Sequence, residues 1–191
     1  MAKLKLNGVR IAFPCLWEPK TVAGEGAPAF SATFIIPKDH PQVKEIEDLI
    51  TQLATEKWAA KAPAILTQLK ASDKVALHNG DTKAGYDGFP GNFFISARNK
   101  AKPGVFDNKI DPATGKVGVL SQVDGKPYAG CYVNGTVDIW AMDNNFGKRI
   151  CASLLGVQFL KDGDAFSGSA PASADEYEAV AEEEDKTAKM A

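Results

Sequence analysis

The chain has 191 residues, is 45% hydrophobic and carries a formal net charge of -2, with three cysteines and two histidines. This length can bury one core of about 150 residues and leaves little room for a second full domain. No signal-peptide core and no apolar run of ~18 residues is present, which argues against a membrane span and predicts a cytoplasmic protein. The odd number of cysteines, without a Cys-x-x-Cys spacing, argues against a disulfide framework and a zinc site.

Charge is distributed unevenly along the chain. Residues 164–191 contain eight acidic residues and two lysines, a net charge of -6, whereas residues 1–163 contain 20 Lys and Arg against 16 Asp and Glu, a net charge of +4. A basic body joined to an acidic tail is typical of proteins with nucleic-acid partners. We therefore expect a folded domain over residues 1–161. Residues 162–191 are expected to form a linker and an acidic tail that are disordered when unbound.

In chain order, the first predicted elements are strands followed by a helical insertion. Residues 3–13 and 29–37 alternate apolar and polar positions, which predicts two strands joined by a Pro/Gly-rich loop over residues 14–28. The apolar spacing then changes to that of a helix over residues 41–58, and residues 63–71 predict a second helix.

The second half of the chain predicts further strands. An adaptable Gly-rich loop over residues 78–91 precedes a strand over residues 92–98, and residues 101–116 are rich in turn signals. The remaining predicted strands are, in order, residues 117–122, 130–142 and 149–160. Because strands surround one helical insertion without an alternating strand–helix rhythm, we expect a mainly β protein, a small closed or partly closed barrel with a helical insertion.

Two of the predicted strands have aromatic residues on their polar side. In residues 130–142, one face is apolar and the other carries Tyr132 and Trp140 among polar side chains. In residues 92–98, Phe94 and Arg98 lie opposite the apolar face, and two lysines follow the strand.

Aromatic rings beside cations are suited to single-stranded nucleic acid, because cations neutralise phosphates and rings stack on unpaired bases. The predicted stacking residues are rings on polar strand faces or in the Gly-rich loop: Tyr86, Phe94, Tyr132 and Trp140. The predicted phosphate contacts are cations on or beside the strands: Lys5, Arg98, Lys100, Lys102, Lys148 and Arg149. Packing of these rings against a helix or a subunit is the structural alternative.

Signatures of catalysis are missing from the sequence. It contains no dinucleotide fingerprint and no phosphate-binding loop, and neither histidine neighbours a Ser or Cys nucleophile. We therefore expect no enzymatic activity, no cofactor and no metal. Two alternatives stay open. One is a protein–protein assembly module whose aromatic residues form an interface, and the other is a metal-dependent nucleic-acid enzyme that uses dispersed acidic residues.

Three segments carry a resemblance to a known family: residues 91–100 (GNFFISARNK), 128–135 (YAGCYVNG) and 147–162 (GKRICASLLGVQFLKD). With them, the chain resembles bacteriophage single-stranded DNA-binding proteins with an oligonucleotide-binding (OB) fold. The resemblance implies a five-stranded OB barrel in the host cytoplasm. Such a barrel binds single strands exposed during replication or recombination, largely without sequence specificity.

The resemblance also implies a role for the acidic tail, which regulates binding and contacts replication or recombination proteins. The tip departs from the family pattern, because the acids of residues 182–185 are followed by the sequence KTAKMA instead of an aromatic or apolar hook. The electrostatic role of the tail does not depend on that hook. Self-association stays open, and no membrane partner is expected.

Overall fold

The computed structural model describes residues 2–22 and 25–166. The helices and strands in these ranges are β1 (Ala2–Val22), β2 (Glu25–Pro37), α1 (Val43–Trp58), α2 (Ala62–Ala71), β3 (Leu77–Asn79), β4 (Asn92–Asn99), β5 (Gly104–Ile110), β6 (Val117–Val119), β7 (Tyr132–Asn144) and β8 (Gly147–Lys161). Neither helix is long and apolar enough to cross a membrane.

Five of these strands close a barrel. Their hydrogen-bonded order is β4-β2-β1-β7-β8, and β8 returns to β4 through a parallel pairing of Ser153 with Arg98. The other pairs around the ring are antiparallel. This closed five-stranded barrel confirms the predicted mainly β, OB-like fold. Both helices of the predicted insertion are present, between β2 and β4.

Alternating side chains of β7 show why these residues form a barrel strand. Val133, Val137 and Ile139 are fully buried inside the barrel, whereas Tyr132 and Trp140 on the opposite face are half-buried. A side-chain period of two buries one face and leaves the other for contacts outside the barrel. The predicted assignment of the two faces of this strand is confirmed.

Gly135 allows β7 to pass closely over a core ring. A Cβ atom at this position would lie 2.5 Å from Cε1 of Phe34, which is fully buried. We expect Gly135→Ala to lower the free energy of unfolding by about 1–3 kcal/mol, because the packed ring has to shift. Urea denaturation measures the change. Gly85→Ala is the matched control, since no atom lies within 4 Å of its added Cβ. Equal effects of the two substitutions would contradict this account.

Two segments predicted as loops are strands in the structure. β1 and β2 continue past the barrel as a hairpin arm, through most of residues 14–28, and their pairing shifts register three times between Ala12 and Val22. These irregularities accommodate the prolines that suggested a loop. The turn-rich residues 101–116 contain β5, which pairs in parallel with β8. Local turn signals could not reveal this strand, because its partner lies about 50 residues further along the chain.

The residues that follow β8 pack against the barrel. Arg10 donates a hydrogen bond of 2.6 Å to the carbonyl oxygen of Asp164, and its guanidinium lies 4.2 Å from the ring centroid of Phe166. The hydroxyl of Tyr128 donates to Oδ1 of Asp162 at 2.8 Å. Residues 162–166 therefore pack on the domain that was predicted to end at residue 161. The rest of the predicted disordered tail, from residue 167, lies outside the described residues.

Candidate nucleic-acid interface

A groove opens on the outside of the barrel where β4 changes partner. The first half of β4 pairs with β3, and its end pairs with β8. The segment after α2 lies beside β8, to which it is joined by a 3.0 Å hydrogen bond from the backbone N–H of Ile150 to the carbonyl of Lys74. These elements and the base of the β1–β2 arm enclose an open groove of about 460 Å³.

The groove brings one indole ring together with three of the cations predicted to contact phosphates. Trp140 is half-buried, and its Nε1 donates a 3.0 Å hydrogen bond to Oγ of Ser153, which orients the ring. Arg98, Lys100 and Arg149 line the same groove and are exposed. No carboxylate oxygen of residues 2–21 or 26–166 lies within 4.0 Å of their cationic nitrogens. These cations are therefore available to phosphate oxygens.

The rest of the groove is lined mainly by small side chains and contains little negative charge. The small residues on its walls are Ala27, Ala29, Ala76, Ser96, Ala152 and Ser153. Asp73 also lines the groove, but its Oδ1 is 2.6 Å from Nδ1 of His78. Burial raises the pKa of the Cys151 thiol, which therefore stays neutral near pH 7. An anionic ligand therefore meets cations in the groove, and the small side chains leave room there for a flat ring.

A second group of aromatic rings covers the outer face of the barrel near the start of β4. Phe89 and Phe94 are buried, with ring centroids 5.1 Å apart. Phe13 and Tyr86 are 50% and 53% exposed and form a T-shaped pair at 5.5 Å. Nζ of Lys83 lies 5.1 Å from the ring centroid of Phe94 and 6.0 Å from that of Tyr86. This outer aromatic cluster thus has a buried half and an exposed half.

The segment that carries Tyr86, residues 80–91, is tied together at its two ends. Asp81 accepts a 2.7 Å hydrogen bond from the backbone N–H of Gly91 and a 3.0 Å hydrogen bond from Nζ of Lys38. The Gly91 contact, followed by the Lys38 contact, lowers the pKa of the Asp81 carboxyl. The predicted adaptable loop is therefore a closed loop that holds Tyr86 at the surface.

A comparison with known protein families identifies the group to which the chain belongs. The model of a family described as "Enterobacter phage Enc34, ssDNA-binding protein" matches residues 2–187, which is nearly the whole chain. The chain is a member of this phage family. A relative, protein p50 of Acyrthosiphon pisum secondary endosymbiont phage 1, is 44% identical over 188 residues and is matched over 97% of its length and 96% of this chain. The predicted resemblance to phage single-stranded DNA-binding proteins is confirmed.

Solved structures of phage single-stranded DNA-binding proteins have the same fold. The Enc34 protein in complex with ssDNA superposes with a TM-score of 0.69 at 26% identity, covering 86% of this chain and 89% of that chain. The gp2.5 protein of bacteriophage T7 superposes with a TM-score of 0.58 at 14% identity, covering 93% of this chain and 95% of that chain. At that identity, the likeness to gp2.5 concerns the fold alone.

In this family member, the groove collects four of the ten site residues predicted from the sequence. They are Arg98, Lys100, Trp140 and Arg149. Lys102 is exposed, and its Nζ lies 5.8 Å from the ring centroid of Trp17 in the β1–β2 arm. Lys102 therefore extends the cationic surface from the groove towards the arm.

Tyr132 shares a strand face with Trp140, but it lies at the other end of β7. Eight residues separate them, which is about 27 Å along a strand. Lys161 and Arg10 lie 4.7 and 5.5 Å from the ring centroid of Tyr132. The structure therefore does not bring Tyr132 into the groove.

Two predicted cations also lie outside the groove lining. Lys5 is exposed on β1, opposite Thr136 of β7. Lys148 lies 3.6 Å from Oδ1 of Asp143, whose Oδ2 accepts a hydrogen bond from Nε1 of Trp58. Lys148 thus has an acidic partner within the described residues, unlike the three predicted cations that line the groove.

Phe94 lies on the predicted side of β4, but its predicted exposure is corrected by the structure. Its ring is 3% exposed, because Phe89 packs against it and His78 stacks on it at 4.9 Å. It has no free face for a base in this arrangement and supports the outer aromatic cluster instead. Tyr86 is the member of the predicted stacking set that this cluster exposes.

Sequence reasoning missed Lys74 and Phe13. Lys74 lines the groove only because its backbone bonds to β8, a contact between residues 76 positions apart that carries no local signal. The sequence did contain a signal near Phe13, since the proline that follows it interrupts the alternation of apolar and polar residues in β1.

No metal-binding cluster of three or more His, Cys, Asp or Glu side chains occurs in the part of the chain that the structure describes. Cys131 is fully buried in the core, and burial raises the pKa of its thiol to about 11. A neutral buried thiol behaves as a small hydrophobic group, as predicted for this residue.

Proposed function

We propose that this chain is a non-enzymatic single-stranded DNA-binding protein. In this role it coats and protects strands exposed during phage DNA replication or recombination in the host cytoplasm. The observation that carries the proposal is the groove in which Trp140 lies beside Arg98, Lys100 and Arg149. No carboxylate of residues 2–21 or 26–166 pairs with these cations. Membership of the Enc34 family and the likeness to its ssDNA complex support it.

The groove chemistry accounts for preference for single strands with little sequence specificity. The cations neutralise phosphates and release counterions, a contribution that is independent of base identity. The indole offers a stacking surface, and every base has a π-face when it is unpaired. In a duplex these faces are already stacked, and therefore the same groove favours a single strand.

The position of the groove on the barrel supports the same function. OB folds bind oligonucleotides on the face formed by their second and third strands. Two loops border this face, one joining strands one and two and the other joining strands four and five. Here those strands are β2 and β4, and the groove lies between the β1–β2 arm and the end of the β7–β8 hairpin. The acidic tail is proposed to contact replication or recombination proteins.

The test measures the binding affinity for a labelled single strand and for its duplex at several salt concentrations. The strand has about 16 nucleotides, the upper end of OB-fold site sizes. We expect tighter binding to the single strand and a linear fall of log K with log salt. Arg149→Gln is expected to reduce the slope by about 0.7, the value for one phosphate contact on a single strand. Lys44→Gln on α1, outside the groove lining, is the control.

Two results would contradict the proposal. Binding that does not respond to salt would favour the assembly-module alternative, because phosphate contacts lose affinity as salt rises. Cleavage of the strand during incubation with magnesium or manganese would favour the enzyme alternative.

A further inference from the structure

Phe13 has a backbone conformation that bulky residues rarely adopt. Its φ is +48°, in the left-handed region, at a point where the register of β1 and β2 shifts between Ala12 and Cys15. A residue with a Cβ atom is strained in this region, whereas glycine is not. Despite that strain, the ring is 50% exposed and does not fill the core. A large exposed ring at a strained position indicates a role at the surface.

The exposed ring of Phe13 is part of an ordered aromatic group. Tyr86 contacts it edge-on, with an interplanar angle of 85°, and is itself 53% exposed. Below them, the buried ring of Phe89 lies 6.0 Å from Phe13 and 6.1 Å from Tyr86. These three rings and Phe166 line a cavity of about 100 Å³. Two half-exposed rings therefore stand on a rigid base instead of packing into the core.

A cation accompanies these rings. Nζ of Lys83 lies 6.0 Å from the ring centroid of Tyr86 and 5.7 Å from that of Phe89. No carboxylate of residues 2–21 or 26–166 lies within ion-pair distance of Lys83. Asp87 lines the small cavity, whereas Lys83 does not, and therefore a phosphate is expected next to Lys83 and not in the cavity. Aromatic faces beside a cation are the same combination that occurs in the groove.

The outer aromatic cluster and the groove lie on one continuous face of the barrel. Along β4, Arg98 of the groove is four residues from Phe94 of the cluster, which is about 13 Å. Between them, Ser96 and Thr33 share a 3.1 Å hydrogen bond between their hydroxyls and form a strip without large side chains. At about 3.4 Å per stacked nucleotide, this distance corresponds to about four nucleotides and to fewer in a stretched strand.

We propose that Phe13 and Tyr86 form a second base-stacking subsite, with Lys83 as its phosphate contact, for the single strand that occupies the groove. The inference rests on the proposed function and deepens it. It gives the strand a path from Trp140 across the Ser96–Thr33 strip to Phe13. It also explains the strained backbone of Phe13, because this conformation holds the ring at the surface.

The test compares Phe13→Gly with wild type on two strands. The short one is a thymidine dinucleotide, which cannot span the ~13 Å along β4 between the groove and the cluster, and the long one is an oligothymidylate of about 16 nucleotides, the upper limit of OB-fold site sizes. Glycine accepts the positive φ, and therefore we expect the melting temperature to be kept or raised. Affinity for the long strand is expected to fall about 5- to 150-fold, the loss of one stacked base, whereas affinity for the short strand stays unchanged. Trp140→Ala is expected to weaken binding of both strands.

Tyr86→Ala is the second variant, because Tyr86 lies on the surface loop and its loss leaves the strained bulge intact. It is expected to reproduce the length-dependent loss of affinity. Val123→Ala, at a residue that is 93% exposed outside both subsites, is the control and should bind as wild type. Wild-type affinity of both Phe13→Gly and Tyr86→Ala for the long strand would overturn the second subsite. Failure of the wild-type chain to bind either strand would overturn the proposed function as well.

Discussion

Trp140→Ala is expected to weaken the binding of single-stranded DNA by about 5- to 150-fold, because stacking on an aromatic side chain contributes about 1–3 kcal/mol per base. Trp140 is the one large aromatic ring that lines the groove within the described residues, and Arg98, Lys100 and Arg149 line the same groove. Fluorescence anisotropy with a labelled oligonucleotide measures the loss. The slope of log K against log salt should stay unchanged, since the substitution removes no phosphate contact.

Two further tryptophan variants separate stacking from effects on the fold. Trp140→Phe keeps a stacking ring and loses the hydrogen bond to Ser153, so it should retain most of the affinity for single strands. It should lose the quenching of tryptophan fluorescence that a base stacked on Trp140 causes. Trp58→Phe serves as the control, because Trp58 is buried against the helices and bonds to Asp143 outside the groove. If Trp140→Ala remains folded and binds as wild type, the groove is not the binding face.

Removal of residues 167–191 is expected to raise the affinity for single strands by about tenfold at low salt, with the gain shrinking as salt rises. The removed segment contains seven acidic residues and two lysines, a net charge of -5, and the remaining chain has a net charge of +3. A tethered polyanion competes with DNA phosphates for the same cations, and salt screens both interactions. The measurement is a titration of the full and the shortened chain at several salt concentrations.

The position of the truncation matters for this experiment. A chain that ends at residue 166 keeps the contacts of Arg10 with Asp164 and Phe166, whereas a chain that ends at residue 161 loses them. We expect only the shorter chain to lose stability. As a matched control, a full-length chain with its acidic tail residues replaced by Asn and Gln should bind as the 166-residue chain does. Unchanged affinity of both variants at low salt would refute competition by the tail.

Short-range patterns predicted much of the fold correctly. The alternation of apolar and polar residues in β7 assigned its inner and outer faces, and the change of spacing after β2 located both helices. These predictions held because a side-chain period of two or 3.6 is a local property that burial imposes wherever the element lies. The same reasoning failed for the β1–β2 arm and for β5. Their strand conformation depends on partners across the sheet, and local proline and turn signals point the other way.

By itself, the sequence determined a mainly β barrel with a helical insertion, the charge division between body and tail, and the class of residues suited to single strands. Only the tertiary structure decided which of those residues meet. Arg98 and Arg149 come from β4 and β8, and they line one groove with Trp140 because the barrel closes there. Tyr132 shares a strand face with Trp140 and remains outside the groove. Residue spacing along a strand determines the face on which a side chain lies, whereas its neighbours across the barrel depend on strand pairing between distant parts of the chain.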